Sequence, residues 1–354
     1  MSDSPTPPQP RRRGRCRRVC AVVGAAGVAL ITVLVLWPTP GALIVRAFFV
    51  YGGEKTAKSL EKHRIADVAV TTESYDDGPN ATIDIYRSAS APDDEVQPVL
   101  FWTHGGGWVA GTPEEAGPYF TQFAAQGFTV VSVRYGLAPG KKYPLPLHQV
   151  NDALGYLVKN RERLRIDPDR TVMAGDSAGA QITSQVATAI TSPDYARELG
   201  LSPKMTPEQL RGVLLHCGIY DAERFLGSKN PIIAWAIKSI IRSYTGSGDP
   251  KSNVLQQFSS YGHVTKDFPT AFIAGGNADP LTDGQSKPLA ERLQGLGVDV
   301  ETAFFPDDYR PKLPHEFQFN LDTEAGQDVL RRTIVFVRER TGEGGSEPDG
   351  PGSQ

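Results

Sequence analysis

The stretch Thr171-Val-Met-Ala-Gly-Asp-Ser-Ala-Gly-Ala-Gln-Ile-Thr-Ser-Gln185 decides the fold. Its first four residues form a short apolar run typical of a strand, and the residues from Gln181 onward form a helical stretch. Between them, G-x-S-x-G places Ser177 on a sharp strand-to-helix turn, where Gly175 and Gly179 remove Cβ atoms that would collide. Ser177 is therefore the candidate nucleophile. The alternative is an ordinary turn in which Ser177 only caps the helix.

A glycine run follows an earlier predicted strand. The strand 98–103 ends in His104-Gly-Gly-Gly-Trp108. Acyl transfer places negative charge on the former carbonyl oxygen, and a rigid backbone that approaches closely can aim several N–H groups at it. The glycines Gly105, Gly106 and Gly107 supply such a backbone upstream of the serine turn, where this oxyanion hole is built. A loop needed only for flexibility would not require a strand directly before it.

Outward from these motifs, short β-branched runs alternate with amphipathic stretches. We expect strands near 66–72, 81–87, 98–103, 128–134, 170–174, 211–217, 270–275 and 299–305. We expect helices near 115–126, 147–163, 178–190, 285–296 and 323–339. The first two strands have no helix between them and predict an antiparallel edge, whereas the later alternation predicts βαβ units. The fold class is therefore α/β, with a mostly parallel eight-stranded sheet covered by helices on both faces.

The acid and the base of a catalytic triad should follow the serine in the order acid, then histidine. Three of the six histidines precede Ser177: His63, His104 and His148. Of the others, His216 lies within a predicted strand and His263 in an insertion. Only His315, after the last strand and before the final helix, is placed to reach the end of the sheet.

The candidate acid is Asp279, which follows the predicted strand 270–275. A buried carboxylate there would hold His315 in one tautomer and stabilise its imidazolium. An alternative is that Asp279 only initiates a turn before Pro280. Asp307 and Asp308 are rival acids that are closer to His315 in sequence.

Four motifs in this order resemble the hormone-sensitive-lipase branch of the α/β-hydrolases over about residues 60–340. They are His104-Gly-Gly-Gly-Trp108, Tyr135-Gly-Leu-Ala-Pro139, Gly175-Asp-Ser-Ala-Gly179 and Ala278-Asp-Pro-Leu281. The resemblance implies an esterase or lipase for short- to medium-chain acyl esters, with Gly106, Gly107 and Ala178 as the oxyanion donors. It implies a lid made from residues 38–64 and the insertion 218–265. This chemistry needs no metal and no cofactor, and the predicted partner is a small or lipid ester. A non-catalytic receptor of the same fold and an acyltransferase are the alternatives.

The N-terminal segment differs from the rest in charge. The chain has a net charge of −3, but residues 1–18 contain six arginines and one acid, so the remainder is acidic and a nucleic-acid partner is disfavoured. Residues 19–37 carry no charge and are long enough for a transmembrane anchor. The arginines before the span predict a cytoplasmic tail, 1–18, and a hydrolase domain, 65–340, on the extracytoplasmic side. A cleaved signal peptide and a buried helix are alternatives. The polar tail 341–354 is predicted to be disordered.

Overall fold

The strands and helices belong to one α/β unit. The computed structural model describes residues 21–25, 27, 32, 37–78 and 81–342. The strands are β1 Val68–Ser74, β2 Thr82–Ser88, β3 Gln97–Thr103, β4 Thr129–Val133, β5 Ile166–Asp176, β6 Leu210–His216, β7 Ala271–Gly275 and β8 Val300–Phe304. The helices are α1 Pro38–Leu60, α2 Gly117–Ala124, α3 Leu145–Lys159, α4 Arg161–Leu164, α5 Ser177–Thr191, α6 Pro193–Leu199, α7 Ala222–Leu226, α8 Pro231–Thr245, α9 Asn253–Phe258, α10 Ser260–His263, α11 Lys287–Gly295 and α12 Glu324–Arg340. Short 3₁₀ turns lie at Glu61–His63, Pro207–Gln209 and Phe317–Phe319, and a π-helical turn at Thr282–Ser286.

The eight strands form a single mixed sheet in the order β1-β2-β4-β3-β5-β6-β7-β8. Strand β2 is antiparallel to both neighbours, β1 and β4, whereas each pair from β4 through β8 is parallel. The sequence predicts the antiparallel edge correctly, because β1 and β2 are joined without a helix. The sheet is mixed, and the prediction of eight strands is confirmed. The main shift is at β5, which begins at Ile166 because Ile166 and Asp167 pair with Gln97 and Pro98.

Apolar side chains cover both faces of the sheet, so the core has two layers. In β3 every residue is buried, and successive side chains point to opposite faces. Val99 and Phe101 join the layer on one face, whereas Leu100 and Trp102 join the other. A strand in the centre of such a sheet reads as a continuous apolar run, which is why β3 was recognisable in the sequence.

The interval between β6 and β7 is helical and packs beside α1. The predicted insertion 218–265 contains α7 to α10. Helix α1 lies so close to α8 that a Cβ atom added at Gly41 would be 2.5 Å from Oγ of Ser239. Ala42 and Val45 of α1 are buried in the same core layer as Ile240 of α8. These contacts fix α1 on the domain.

The predicted membrane anchor over residues 19–37 requires correction. Among the residues that the structure describes, no helix combines the length and the apolar character needed to cross a bilayer. Most of the span itself, together with the basic tail 1–18, lies outside the described residues, as do residues 343–354 of the predicted disordered tail. The first long described helix, α1, begins at Pro38, carries charged residues and packs against α8. The membrane-anchored, extracytoplasmic localisation predicted from the sequence is therefore wrong.

Candidate active site

The serine turn lies where β5 passes directly into α5. Ser177 has φ +50°, a left-handed conformation that disfavours side-chain-bearing residues by about 1–2 kcal/mol. The turn is tight on both sides. A Cβ atom at Gly179 would lie 2.0 Å from the carbonyl oxygen of Thr103, and one at Gly175 would lie 2.5 Å from the carbonyl carbon of Gly179. The two glycines therefore let the turn approach β3, and they hold Ser177, which is 8% exposed, at the edge of the sheet.

The side chains of Ser177, Asp279 and His315 lie together. Nε2 of His315 is 3.0 Å from Oγ of Ser177, and Nδ1 of His315 is 2.8 Å from Oδ2 of Asp279. The Asp279 side chain is 1% exposed, and its Oδ1 accepts a hydrogen bond from the N–H of Leu281. The rival acids Asp307 and Asp308 are exposed at the surface. Of the three candidate acids, Asp279 is thus the one whose carboxylate contacts His315.

Asn277 ties the loop that carries Asp279 to the loop that carries His315. Its amide nitrogen donates to the carbonyl oxygens of Pro306 at 2.9 Å and Tyr309 at 3.1 Å, and its side-chain oxygen accepts from the N–H of Leu313 at 2.9 Å. No motif in the sequence pointed to this residue. The only signal for it was an amide two positions before the candidate acid, and its three partners are about 30 residues away.

The glycine loop after β3 has an unusual backbone. Gly106, Gly107 and Trp108 all have positive φ, at 98°, 60° and 61°. The N–H groups of Val109 and Ala110 donate to the carbonyl oxygen of Gly106. This turn leaves the loop beside Ser177, with Gly105, Gly106 and Gly107 lining one pocket with the serine.

Buried side chains hold this loop in place. The hydroxyl of Tyr135 donates to the carbonyl oxygen of His104 at 2.8 Å, and the two rings stack with centroids 4.2 Å apart. Nε1 of Trp108 donates to Oε1 of Gln181 at 3.0 Å, which links the loop to α5. Burial lowers the pKa of His104 to about 4, so its ring is neutral and acts structurally. The motifs at 104–108, 135–139 and 175–179 therefore meet in one place.

Carboxyl groups dominate the electrostatics of the site. Burial lowers the pKa of His315, but Glu316 and Asp279 more than offset this, so the pKa lies well above its usual value. Burial and the neighbouring Glu316 raise the pKa of Asp176 well above the usual range. Burial, with Glu316 next in size, raises the pKa of Glu115 to about 7. Neither Glu115 nor Glu316 belongs to a motif that would have predicted its place in the site.

A metal ion has a poor set of ligands here. Cys217, Asp279 and His315 bring three ligand atoms within 4.8 Å of one another. Burial, however, raises the pKa of the Cys217 thiol to about 11, so the thiolate that a metal requires is disfavoured. Nδ1 of His315 is also engaged with Asp279. The donor set therefore suits proton transfer better than metal binding.

The pocket beside Ser177 has a volume of about 190 Å³. Its apolar walls come from Phe48 and Phe49 of α1 and from Phe120 and Phe319. The Phe49 ring lies over the glycine loop, because a Cβ atom at Gly107 would be 2.6 Å from Cε2 of Phe49. Of the two segments predicted to form a lid, only α1 contributes to the described lining, since no residue of 218–265 is among it.

A serine on a strand-to-helix turn at the edge of a sheet of this topology defines an α/β hydrolase. A family model described as the alpha/beta hydrolase fold matches residues 100–318. Esterase LipI of Mycobacterium tuberculosis (strain ATCC 25618 / H37Rv) is 30% identical, with 67% of this chain and 71% of LipI covered. Ethyl acetate hydrolase of Pseudomonas putida is 27% identical, with 70% of this chain and 76% of the relative covered.

Solved structures show the same architecture. Esterase B from Lactobacillus rhamnosis matches with a TM-score of 0.76 at 20% identity, covering 86% of this chain and 96% of that one. Esterase LipW from Mycobacterium marinum matches with a TM-score of 0.64 at 25% identity, covering 84% and 90%. The chain belongs to the α/β-hydrolase family, as its motifs predicted, and is a carboxylesterase-like member of it.

Proposed function

We propose that this carboxylic ester hydrolase works through Ser177 as nucleophile, His315 as general base and Asp279 as the acid that orients the base. One observation carries the proposal: the continuous contact from Oγ of Ser177 through both nitrogens of His315 to the carboxylate of Asp279, at 3.0 and 2.8 Å. A nucleophile within reach of a base, which a third group orients, is the arrangement that activates a serine.

The reaction has two halves. Ser177 attacks the ester carbonyl while His315 takes its proton at Nε2, and the imidazolium then protonates the leaving alcohol. Water repeats the cycle on the acyl-enzyme. The backbone N–H groups of Gly106, Gly107 and Ala178 are the proposed donors to the oxyanion, because the glycine loop and the start of α5 border Ser177. Losing one such donor typically costs about 2.7–4 kcal/mol of transition-state stabilisation.

The proposed substrates are esters with short- to medium-chain acyl groups. The pocket is small, at about 190 Å³, and has phenylalanine side chains in its walls. Relatives carry the names ethyl acetate hydrolase and acetyl esterase, which supports the short end of this range. Apolar walls favour an acyl chain over a polar group, because each buried methylene contributes about 0.8 kcal/mol.

The test uses the full chain and a series of p-nitrophenyl esters from acetate to octanoate. We expect kcat to fall by at least about 10³-fold in Ser177→Ala, because this variant lacks the nucleophile. A residual rate remains when a triad member is removed. A fluorophosphonate probe should label the wild type and not this variant. Ser202→Ala, at an exposed serine, is the matched control and should keep both ester turnover and labelling by the probe.

Three results would contradict the assignment. Equal turnover by wild type and Ser177→Ala would exclude Ser177 as nucleophile. Absence of both labelling and turnover in a folded sample would favour the binding-protein alternative. Release of the acyl group to an added alcohol faster than to water would instead indicate an acyltransferase.

A further inference from the structure

Glu316 has no part in the proposed triad, yet it follows the candidate base directly. Its backbone is left-handed, with φ 57° and ψ 31°. Glycine adopts this conformation freely, whereas a residue with a Cβ atom rarely does. Backbone strain of this kind clusters at functional sites. Here the strained residue lines the same pocket as Ser177 and His315.

The Glu316 carboxylate lies beside the ring nitrogen that would transfer the proton. Its Oε1 is 3.6 Å from Nε2 of His315, too long for a hydrogen bond but within ion-pair distance. At the other nitrogen, Nδ1 is 2.8 Å from Oδ2 of Asp279. The imidazole therefore lies between two carboxyl groups, one at each nitrogen.

Asp176 determines where the charge on this side of the ring resides. Its carboxyl group is buried, and its Oδ1 accepts from Nε1 of Trp102 at 2.7 Å. The Glu316 carboxylate lies next to it, since a Cβ atom added at Gly105 would meet both Oδ2 of Asp176 and Oε1 of Glu316. Two carboxyl groups in such contact share one proton, because both cannot ionise at low cost. Asp176 is buried, whereas Glu316 is only half-buried. The raised pKa of Asp176 therefore keeps the proton on that group.

We propose that Glu316 is a second electrostatic partner of His315, which stabilises the imidazolium from its Nε2 side while Asp176 keeps the shared proton. The inference rests on the proposed function, because it takes His315 as the base. In this role Glu316 is a positioning residue, because it acts through His315. It stabilises the ring when Ser177 has given up its proton, and it also keeps the resting ring protonated up to a higher pH.

Within the part of the chain that the structure describes, the groups that shift the pKa of His315 from neighbouring elements are anionic or neutral. Asp279 faces it from the loop after β7, and Cys217 from the loop after β6. Glu316 faces it from the histidine's own loop, with Asp176 and Glu115 behind Glu316. Burial of the ring opposes its protonation. Glu316 is the one charged group of this set beside Nε2. Removing its charge therefore isolates the effect of that charge on the pKa of His315.

The test is the pH dependence of kcat/KM for p-nitrophenyl acetate. Only the neutral imidazole can accept the serine proton, so activity rises with pH through the pKa of His315. In Glu316→Gln, which keeps the shape and removes the charge, we expect the midpoint of this rise to move down by about one pH unit, the usual size for one adjacent opposite charge. Glu316→Gly should show the same shift and relieve the backbone strain. It therefore keeps the test valid if the glutamine variant folds poorly.

One matched variant tests which carboxyl group holds the proton, and a second serves as a control. Asp176→Asn imitates a protonated Asp176, so the midpoint should stay within about 0.3 pH unit of wild type if the proton resides there. Glu339→Gln removes an exposed carboxylate of α12 far from the pocket and should change nothing. The proposal is overturned if Glu316→Gln leaves the midpoint unchanged or raises it. It is also overturned if Asp176→Asn lowers the midpoint and Glu316→Gln does not.

An NMR titration separates this inference from the proposed function. The ring of ¹⁵N-labelled His315 can be titrated in Ser177→Ala, which needs no turnover. A lower pKa after Glu316→Gln in that background supports the electrostatic contact even if ester hydrolysis is disproved. An unchanged pKa overturns the inference even if ester hydrolysis is established.

Discussion

At the scale of the residue, two kinds of side chain make the site, and only one kind can be read from the sequence. Ser177 and its glycines are recognisable because the turn that exposes the hydroxyl requires small residues at fixed positions. Asn277 and Glu316 are not recognisable in this way. Asn277 acts through backbone groups about 30 residues away. Glu316 occupies a left-handed position where a sequence rule would expect glycine.

Gly179 provides the sharpest residue-scale prediction for stability. In Gly179→Ala the new Cβ atom would meet the backbone of Thr103 and His104, neither of which can move without distorting β3. We expect a loss of about 3 kcal/mol or more in the free energy of unfolding, at the upper end for overpacking, measured by denaturant titration. Gly295→Ala is the control, because open space surrounds that helical position and stability should hold or rise. Equal stability of the two variants would refute the close approach of α5 to β3.

At the scale of the element, the spacing of apolar residues and the positions of turn residues predicted the strands and helices well where packing is local. The strands of the sheet were recognisable because buried strands are short apolar runs bounded by turn residues. The order and direction of the strands in the sheet depend instead on long-range pairing. The direction of β2 relative to β4 depends on contacts between residues about 50 positions apart. The membrane anchor predicted before α1 was wrong, because no helix among the described residues is long and apolar enough to cross a bilayer.

Helix α1 also carries a prediction about substrate size. Phe49 forms a wall of the pocket over Gly107, so Phe49→Ala should enlarge the space next to the oxyanion loop. We expect the ratio of kcat/KM for octanoate to that for acetate to rise about fourfold or more, the value of one further buried methylene. Tyr51→Ala removes an aromatic ring that is 70% exposed and does not line the pocket, and it should leave the ratio unchanged. An unchanged ratio in Phe49→Ala would show that α1 does not limit the acyl chain.

At the scale of the whole molecule, several acidic side chains lie close together in the pocket, and this arrangement costs stability. Surface carboxylates such as Glu73 pair with arginine, and their pKa values are lowered by that contact. Among the described residues, none forms such an ion pair with Glu115. Its pKa is raised, chiefly by burial, to about 7. The burial of Glu115 in the pocket wall therefore lowers the stability of the folded protein, as functional groups often do.

The pH dependence of stability follows from this raised pKa. Between about pH 4.5 and 7 the folded chain keeps a proton on Glu115 that the unfolded chain has lost, so this group's contribution to stability falls as pH rises. Glu115→Gln should therefore raise the thermal midpoint more at pH 7.5 than at pH 5, measured by calorimetry. Glu114→Gln, which removes the exposed carboxylate paired with Arg134, should not show this difference in the same direction. An equal effect of Glu115→Gln at both pH values would contradict the raised pKa.

The separation of Ser177 and His315 along the chain, 138 residues, has a consequence for biosynthesis. The serine turn leaves the ribosome long before the histidine that contacts it, and α1, which covers the pocket, is made before either. At translation rates of about 5–20 residues per second, the interval lasts roughly 7–30 s. The nascent chain can therefore form the central strands without an activated serine. Hydrolytic activity should be the last property acquired during synthesis, after β7 and β8 have joined the sheet.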